Sequence, residues 1–459
     1  MVTIRINNQT FLFNLPAGVL ARIRERLTFA NLAHQEAERL GFYTGNIPRE
    51  IRGWRETEGG LLVPRCFTRQ LLGIIRAAGV IYNIEDRRRT LAPVEFTFRG
   101  ELRDFQSEAV EDMAARDFGT LAAPTGSGKT VMALALVARR RQPALIIVHT
   151  RELLEQWVSR IGRFLGIPAR EVGVIGGGKK RIGQKITVAL VQSLYKCASE
   201  VAPHVGHLIV DECHRTPSRT FTECVGSFDS KFMLGLSATP WRRDGLSRLI
   251  FWHLGDVVHE VDLKALVDAG HVLAADVIWR ETSFRPHHDP TTEYSRMLSE
   301  LTQDRARNAL IAADVAREAE NGGGVILVLS DRKAHCDTLA AFLEDWGIEA
   351  AVLTGDLSNR QRQQVVEDLN GGNIKVLVAT GQLIGEGFDC KSLSTLFLAT
   401  PIKFNGRLLQ YLGRVLRSAP GKERAKVFDY LDPVGVLRNA ARARKREYVK
   451  NGWELLEAA

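Results

Sequence analysis

The segment Ala123-Pro124-Thr125-Gly126-Ser127-Gly128-Lys129-Thr130 lies between the apolar stretch Gly119 to Ala122 and the apolar stretch Val131 to Ala138. Its glycines free consecutive backbone N–H groups to converge on an anion, and its lysine adds a mobile positive charge. The chemistry this suits is phosphate binding. Pro124, Thr125, Gly126, Ser127 and Gly128 form a cradle, Lys129 reaches the β- and γ-phosphates of a nucleoside triphosphate, and the Thr130 hydroxyl is a ligand for Mg²⁺. Ala123 stands where the usual pattern has glycine, one small residue for another. A plain Gly/Ser turn is the alternative reading, but an ending Gly-Lys-Thr at a strand-to-helix junction argues against it.

About 80 residues on, Leu208-Ile209-Val210 leads into Asp211-Glu212-Cys213-His214. A buried strand delivering two acids at its carboxyl end suits hydrolysis: Asp211 holds the Mg²⁺ water shell and Glu212 polarises the attacking water. Alone, two acids at a strand end are equally a solvated terminus; the phosphate loop upstream gives them a task. Ser237-Ala238-Thr239-Pro240 follows the apolar run Phe232 to Leu236. Gln410-Tyr411-Leu412-Gly413-Arg414-Val415-Leu416-Arg417 sets two arginines three apart, hence on one helix face. Arg414 and Arg417 suit charge developing on phosphate, and Gln410 can report the γ-phosphate. Read alone, this segment is an ordinary basic helix.

In this order the four stations resemble a superfamily II helicase or translocase. Weaker matches lie between them. Leu102-Arg103-Asp104-Phe105-Gln106 resembles the adenine-reading segment. Thr150-Arg151-Glu152-Leu153 and Gln192-Ser193 resemble strand-contacting segments of the first lobe. Ser330-Asp331-Arg332, Thr354-Gly355 and Ala379-Thr380 through Gly387-Phe388-Asp389 resemble their second-lobe counterparts. Ala238-Thr239-Pro240-Trp241-Arg242-Arg243-Asp244-Gly245 is most similar to the XPB and UvsW type of DNA translocase. The resemblance runs from about residue 100 to 432.

The resemblance implies ATP and Mg²⁺ as cofactors, with Lys129, Asp211, Glu212, Gln410, Arg414 and Arg417 catalytic. It implies that Arg103 and Gln106 read adenine and that Gly387 and Asp389 meet the nucleotide from the second lobe. It implies that Thr150, Arg151, Gln192, Ser193, Ser330, Thr354 and Thr380 meet one strand's phosphates. Such contacts position a strand and carry no sequence information. The implied partner is duplex, forked or branched DNA, remodelled in repair, recombination or replication restart. An RNA helicase of the DEAD-box kind is the rival within the class. The Asp-Glu-Cys-His box, and Gln410 where that kind has a His-Arg pair, speak against it. An ATP-gated switch that clamps nucleic acid without moving is the rival from another class. A restriction-system motor lacks a nuclease signature here.

These stations need strand ends to sit on. Apolar runs at Leu145 to His149, Ile186 to Val191, Leu208 to Val210 and Phe232 to Leu236 alternate with helical segments, the pattern of a parallel sheet covered on both faces. A second series runs through Val325 to Leu329, Ala350 to Leu353, Val376 to Ala379, Thr395 to Leu398 and Lys426 to Tyr430. The expected fold is α/β: two tandem RecA-like parallel-sheet lobes with a small N-terminal α+β accessory domain. The expected boundaries are 1–95 for the accessory domain, 96–262 for lobe 1, 263–300 for an inter-lobe linker, 301–435 for lobe 2 and 436–459 for a basic C-terminal helix.

The chain of 459 residues carries a net charge of +9, which fits a polyanionic partner. Residues 1–95 hold fourteen arginines, no lysine and nine acids. Arg22, Arg26, Arg49, Arg52, Arg55, Arg65 and Arg69 with Trp54 and Phe67 are candidates for a nucleic-acid groove; the plain alternative is a solvated Arg-rich surface. Gly176-Gly177-Gly178-Lys179-Lys180-Arg181 reads as a flexible basic turn, and His287-His288 as part of a solvated bridge. Six cysteines with no Cys-x-x-Cys spacing argue against a metal cluster or disulfide framework and for a reducing compartment. No run of about 18 apolar residues spans a membrane, and no signal-peptide core is present, so a cytoplasmic location is expected.

Overall fold

The computed structural model describes residues 1–215, 219–241, 245–381, 384, 390, 392–402, 406–417 and 422–457. The chain divides into two compact units: Met1–Ala123 with Gly128–Val261, and Pro124–Ser127 with Asp262–Ala459.

The first unit opens with β1 (Val2–Ile6) and β2 (Gln9–Phe13), an antiparallel pair turning at Asn7-Asn8. Their alternating apolar residues face inward, the period-2 pattern of a half-buried sheet. β3 (Thr28–Ala30) pairs with β4 (Glu50–Arg52), while β5 (Arg55–Thr57), β6 (Gly60–Pro64) and β7 (Tyr82–Asp86) complete a sheet of order β5-β6-β2-β1-β7. Helices Ala17–Arg26 and Thr68–Ala77 cover one face through Val19, Ile23, Leu71 and Ile75.

The same unit holds β8 (Phe118–Ala122), β9 (Ala144–Val148), β10 (Gly173–Gly176), β11 (Lys179–Arg181), β12 (Ile186–Leu190), β13 (His207–Val210), β14 (Phe232–Ser237) and β15 (Val257–Glu260), in the order β11-β10-β12-β9-β13-β14-β8-β15. All but β11 run parallel. The central strands are apolar on both faces because helices cover both, as β9 shows with five buried residues in a row. The glycine-rich basic segment is a tight hairpin: Gly177 and Gly178 have φ of 59° and 80° and turn β10 into β11. Positive φ at both central residues matches the right-handed twist of paired strands.

The leading segment is fused to this sheet, unlike the separate accessory domain expected. Arg65 is buried and donates to the carbonyls of Asn7 and, at 2.9 Å, Ser230. Arg88 pairs with Asp86 and Asp117, and Arg89 with Asp229. Trp252, from the helix Ser247–Leu254, lies in the same apolar cluster as Val2, Ile4 and Leu71. Arg65 and Phe67 therefore leave the candidate groove: both are buried, one as a bolt and one as core.

The second unit is a parallel sheet of β16 (Ala275–Glu281), β17 (Val325–Ser330), β18 (Ala350–Leu353), β19 (Val376–Thr380), β20 (Leu393–Leu398), β21 (Ala425–Leu431) and β22 (Glu454–Glu457), in the order β18-β19-β17-β20-β21-β16-β22. Residues 263–300, expected as a linker, supply β16 to this sheet and the helix Tyr294–Gln303 to its covering. His288, half-exposed, lies 2.6 Å from Glu300. The basic tail is a helix, Gly435–Lys450, but its Arg444 is buried against Asp429 at 2.6 Å and the chain continues into β22. Arg307 and Asp432 form a second buried pair at 2.8 Å, each 1% exposed. Removing one partner of such a pair costs about 3–5 kcal/mol, because the other charge is left in a dry site.

Candidate functional site

Parallel register sets the functional stations side by side at the carboxyl edge of the first sheet. β8 ends at the phosphate loop, β14 at Ser237, β13 at Asp211, β9 at His149-Thr150 and β12 just before Gln192-Ser193. Ser237 is in register with Ala122, Val210 with Gly235 and with Ile147, and Leu190 with Val148. Five stations far apart in sequence become neighbours because each strand is followed by a helix that returns the chain to the opposite edge.

At the phosphate loop Gly126 and Gly128 have φ of 93° and 91°, the left-handed region that glycine enters without a Cβ penalty. A Cβ on Gly128 would also stand 2.5 Å from Gln106 Nε2. The loop opens the helix Lys129–Arg140, whose first-turn N–H groups favour an anion. Ser127 is buried and its hydroxyl donates to Pro124 O at 2.8 Å. Lys129 Nζ donates to Ala123 O at 2.9 Å, which folds the side chain back over the loop. Gln106 Oε1 accepts from Arg103 N at 3.0 Å and closes the first turn of the helix Asp104–Ala114, so its amide is held against Gly128. Thr125 and Thr130 are half-buried at the loop.

At the acidic pair, Asp211 Oδ2 accepts from the Trp157 indole N–H at 2.8 Å and Oδ1 accepts from Glu212 N at 3.0 Å. Burial raises the Asp211 carboxyl above its usual range and the Glu212 charge adds to this, against Trp157 and Lys129. Burial also pushes Glu212 up, but the His214 imidazole and the Lys129 charge prevail and hold it at about 2. Glu212 has φ of 49°, a strained conformation for a residue with a side chain. His214 Nδ1 lies 3.2 Å from Glu212 Oε2 and 3.2 Å from Ser237 Oγ, and Thr239 N donates to that hydroxyl at 3.1 Å. A polar chain thus joins the acid expected to orient water to the Ser-Ala-Thr segment. His149 is held neutral, its imidazole lowered to about 4 by burial and then by Arg215. The oxygen ligands offered by Asp211, buried, and Thr130, half-buried at the phosphate loop, fit a hard cation such as Mg²⁺.

Thr150 caps the helix Arg151–Leu165 by accepting from Leu153 N, while Arg151 is exposed and paired with Glu155 at 3.0 Å. Gln192 is exposed and Ser193 half-buried. In the second unit Thr354 follows β18, Thr380 ends β19 in register with Ser330, and both edges are adjacent. Ser330 is corrected: it is 1% exposed, its Oγ accepts from Arg332 N at 3.1 Å and its O–H meets His335 Nδ1 at 2.9 Å. That hydroxyl shapes the turn after β17 and is not presented to a strand.

The helix Gly406–Val415 carries Arg414, half-buried; Arg417 lies beyond its end, so the two do not share one continuous helical face. Lys422 Nζ stops the helix, donating to the carbonyls of Val415, Arg417 and Leu393, the last at 2.6 Å. Gly387, Phe388 and Asp389, the side chain of Gln410, and Arg242, Arg243 and Asp244 lie outside the described residues. Trp157, His149 and Lys422 stand in no motif of the sequence. A tryptophan on the buried stripe Leu154, Trp157, Ile161, Leu165 was the one available signal, since a buried indole N–H needs an acceptor.

Two family profiles match: "Type III restriction enzyme, res subunit" over residues 99–242 and "Helicase conserved C-terminal domain" over 296–419. "Probable helicase D10" of Escherichia phage T5 is 27% identical over 84% of this chain and 83% of its own length. "DNA 3'-5' translocase XPB2" of Sulfurisphaera tokodaii is 28% identical over 69% of this chain and 79% of its own length. S. cerevisiae Dbp5, solved bound to RNA, superposes with a TM-score of 0.55 at 14% identity, over 77% of this chain and 89% of that one; at such identity the fold alone is shared. The chain belongs to the superfamily II helicases and translocases. It is a nucleic-acid-dependent ATPase. Among the described residues no helix is long and apolar enough to cross a membrane.

Proposed function

We propose that this chain is a DNA translocase that uses ATP and Mg²⁺ to remodel duplex, forked or branched DNA. The carrying observation is the single sheet edge that Lys129, Asp211, Glu212, Thr150, Arg151, Gln192 and Ser193 share, which supports a reading of hydrolysis beside a candidate phosphate track. Lys129 and Thr130 bind phosphate and Mg²⁺, Asp211 holds the Mg²⁺ shell, Glu212 orients water, and Gln106 with Arg103 reads adenine. Arg414 and Arg417 neutralise transition-state charge, with Gln410, Gly387 and Asp389 contributing from the same half of the chain. Mg²⁺ when bound offsets negative charge on the triphosphate.

DNA is favoured over RNA by the Asp-Glu-Cys-His box, by Gln410, and by the similarity to a relative named as a DNA translocase. Only about twenty residues separate Asp389 from Gln410, too few for a long strand-splitting hairpin, which favours duplex translocation over processive unwinding. A groove of about 780 Å³ in the first unit supports a further grip: Arg22, Arg26 and Arg248 line it with Gln70, against Glu25 and Asp256. Those arginines have no carboxylate partner among the described residues, unlike Arg24, which is paired with Glu56.

The test is ATPase stimulation by single-stranded, duplex, forked and four-way DNA and by duplex RNA, followed by triplex displacement. Stronger stimulation by duplex or branched DNA, with ATP-dependent displacement, is expected. Equal stimulation by RNA would favour the RNA helicase, and hydrolysis without displacement would favour the clamp.

A further inference from the structure

The structure assigns Trp157 as a positioning residue for the Mg²⁺-binding carboxylate of Asp211. The inference rests on the reading of Asp211 as the Mg²⁺ acid. The helix Arg151–Leu165 packs through Leu154, Trp157, Ile161 and Leu165, and any large apolar residue would fill the second of these places. A tryptophan adds one thing, a buried N–H, and that N–H is used on Asp211 Oδ2 at 2.8 Å. With Glu212 N on Oδ1 at 3.0 Å, each oxygen of the carboxylate carries one donor. Rotation about Cβ–Cγ would break both bonds, so the remaining lone pairs keep a fixed direction. Preorganising a ligand in this way saves ordering it when the cation arrives.

The choice of donor matters. Glu212 has the His214 imidazole at 3.2 Å, a group able to carry charge. The indole is neutral at every pH, so it orients Asp211 without cancelling the negative charge a cation requires. The helix bearing Trp157 begins at Thr150 and Arg151. The indole sits six residues further on, about 9 Å along the axis, so the Mg²⁺ carboxylate is braced by the element that starts at the candidate phosphate track.

The experiment uses the full chain with Trp157→Phe and Trp157→Met, which fill the site without a donor, and Ile161→Val as a packing control. Binding of a fluorescent ADP analogue is titrated with Mg²⁺ and repeated in EDTA, and thermal melting establishes that each variant folds. The donor-less variants should need on the order of 10-fold more Mg²⁺ for half-maximal binding. Their affinity in EDTA should equal that of the parent chain, and Ile161→Val should need no more Mg²⁺ than the parent. An unchanged Mg²⁺ requirement in both donor-less variants, or equal losses with and without Mg²⁺, would overturn the assignment. Asp211→Asn tests the premise separately: if it leaves the Mg²⁺ requirement unaltered, the reading of Asp211 fails rather than that of Trp157.

Discussion

Two neighbouring acids end one strand, yet their surroundings push them apart. Asp211 is raised by burial and by the Glu212 charge; Glu212 is held at about 2, chiefly by His214 against its own burial. The lowering favours the ionised form of Glu212, the form that the proposed water-orienting role requires. Glu212→Gln should keep nucleotide binding near that of the parent while turnover falls by about 10²-fold or more, seen by comparing equilibrium binding with steady-state hydrolysis. Near-parental hydrolysis would remove Glu212 from this role. Lys129→Ala should act differently and weaken nucleotide binding itself, because a charge-assisted contact to phosphate is lost.

The elements decide how well these residues are held. Lys422 closes the helix that carries Arg414 by drawing together the carbonyls of Val415, Arg417 and Leu393. A cation at a helix C-terminus also complements the helix dipole. Arg414→Ala and Arg417→Ala should each lower turnover by a factor on the order of 10³, the range for arginine fingers, with nucleotide affinity much less affected. Lys422→Met, which removes the clamp on the helix end and leaves both arginines in the chain, should reproduce part of that loss and lower the melting temperature. Parental turnover in Lys422→Met would show that the arginine segment holds its place without the clamp. At the phosphate loop, Gly128→Ala adds a side chain at φ of 91° and against Gln106 Nε2, so nucleotide affinity should fall.

On the scale of the whole chain, two consequences follow from what is buried. His253 is lowered to about 4 by burial and then by Arg65, and His335 to about 3 by burial and then by Arg307. An unfolded histidine titrates near pH 6.5, so the unfolded chain binds more protons below that pH. Their contribution is complete above about pH 6.5 and is lost as pH falls toward 4 and then 3, with a slope of up to about 1.4 kcal/mol per pH unit for each. Melting temperatures should drop over this window, and His335→Gln should flatten the drop; an unchanged slope would mean that other groups dominate. Secondly, deleting residues 1–95 should not leave a working motor. Trp252 would lose the cluster around Val2 and Ile4, and Asp229 would lose Arg89. Loss of solubility or of basal hydrolysis is expected, whereas Arg22→Glu with Arg26→Glu should spare basal hydrolysis and make DNA binding less salt-dependent.

The enzyme class and the candidate site were legible in the sequence because they depend on local patterns. A phosphate loop needs glycines, a lysine and a threonine in consecutive places, and Asp211-Glu212 needs an apolar strand just before it. The strands of both parallel sheets were legible for the same reason, since burial on both faces writes a continuous apolar run such as Leu145 to Val148. What tertiary structure decided was every relation that depends on which strand lies beside which. Trp157 reaches Asp211 across 54 residues, and Arg65 reaches Ser230 across 165. No spacing in the sequence encodes either contact. β16 falls in the stretch expected as linker and β22 in the stretch expected as a basic helix, because strands rich in polar residues declare themselves only when a neighbouring strand supplies their hydrogen bonds. The same holds for Ser330 and Arg444, whose polar side chains suggest the surface and whose partners lie inside. A polar residue's fate is set by whether the fold brings it a buried partner, and only the assembled sheets determine that.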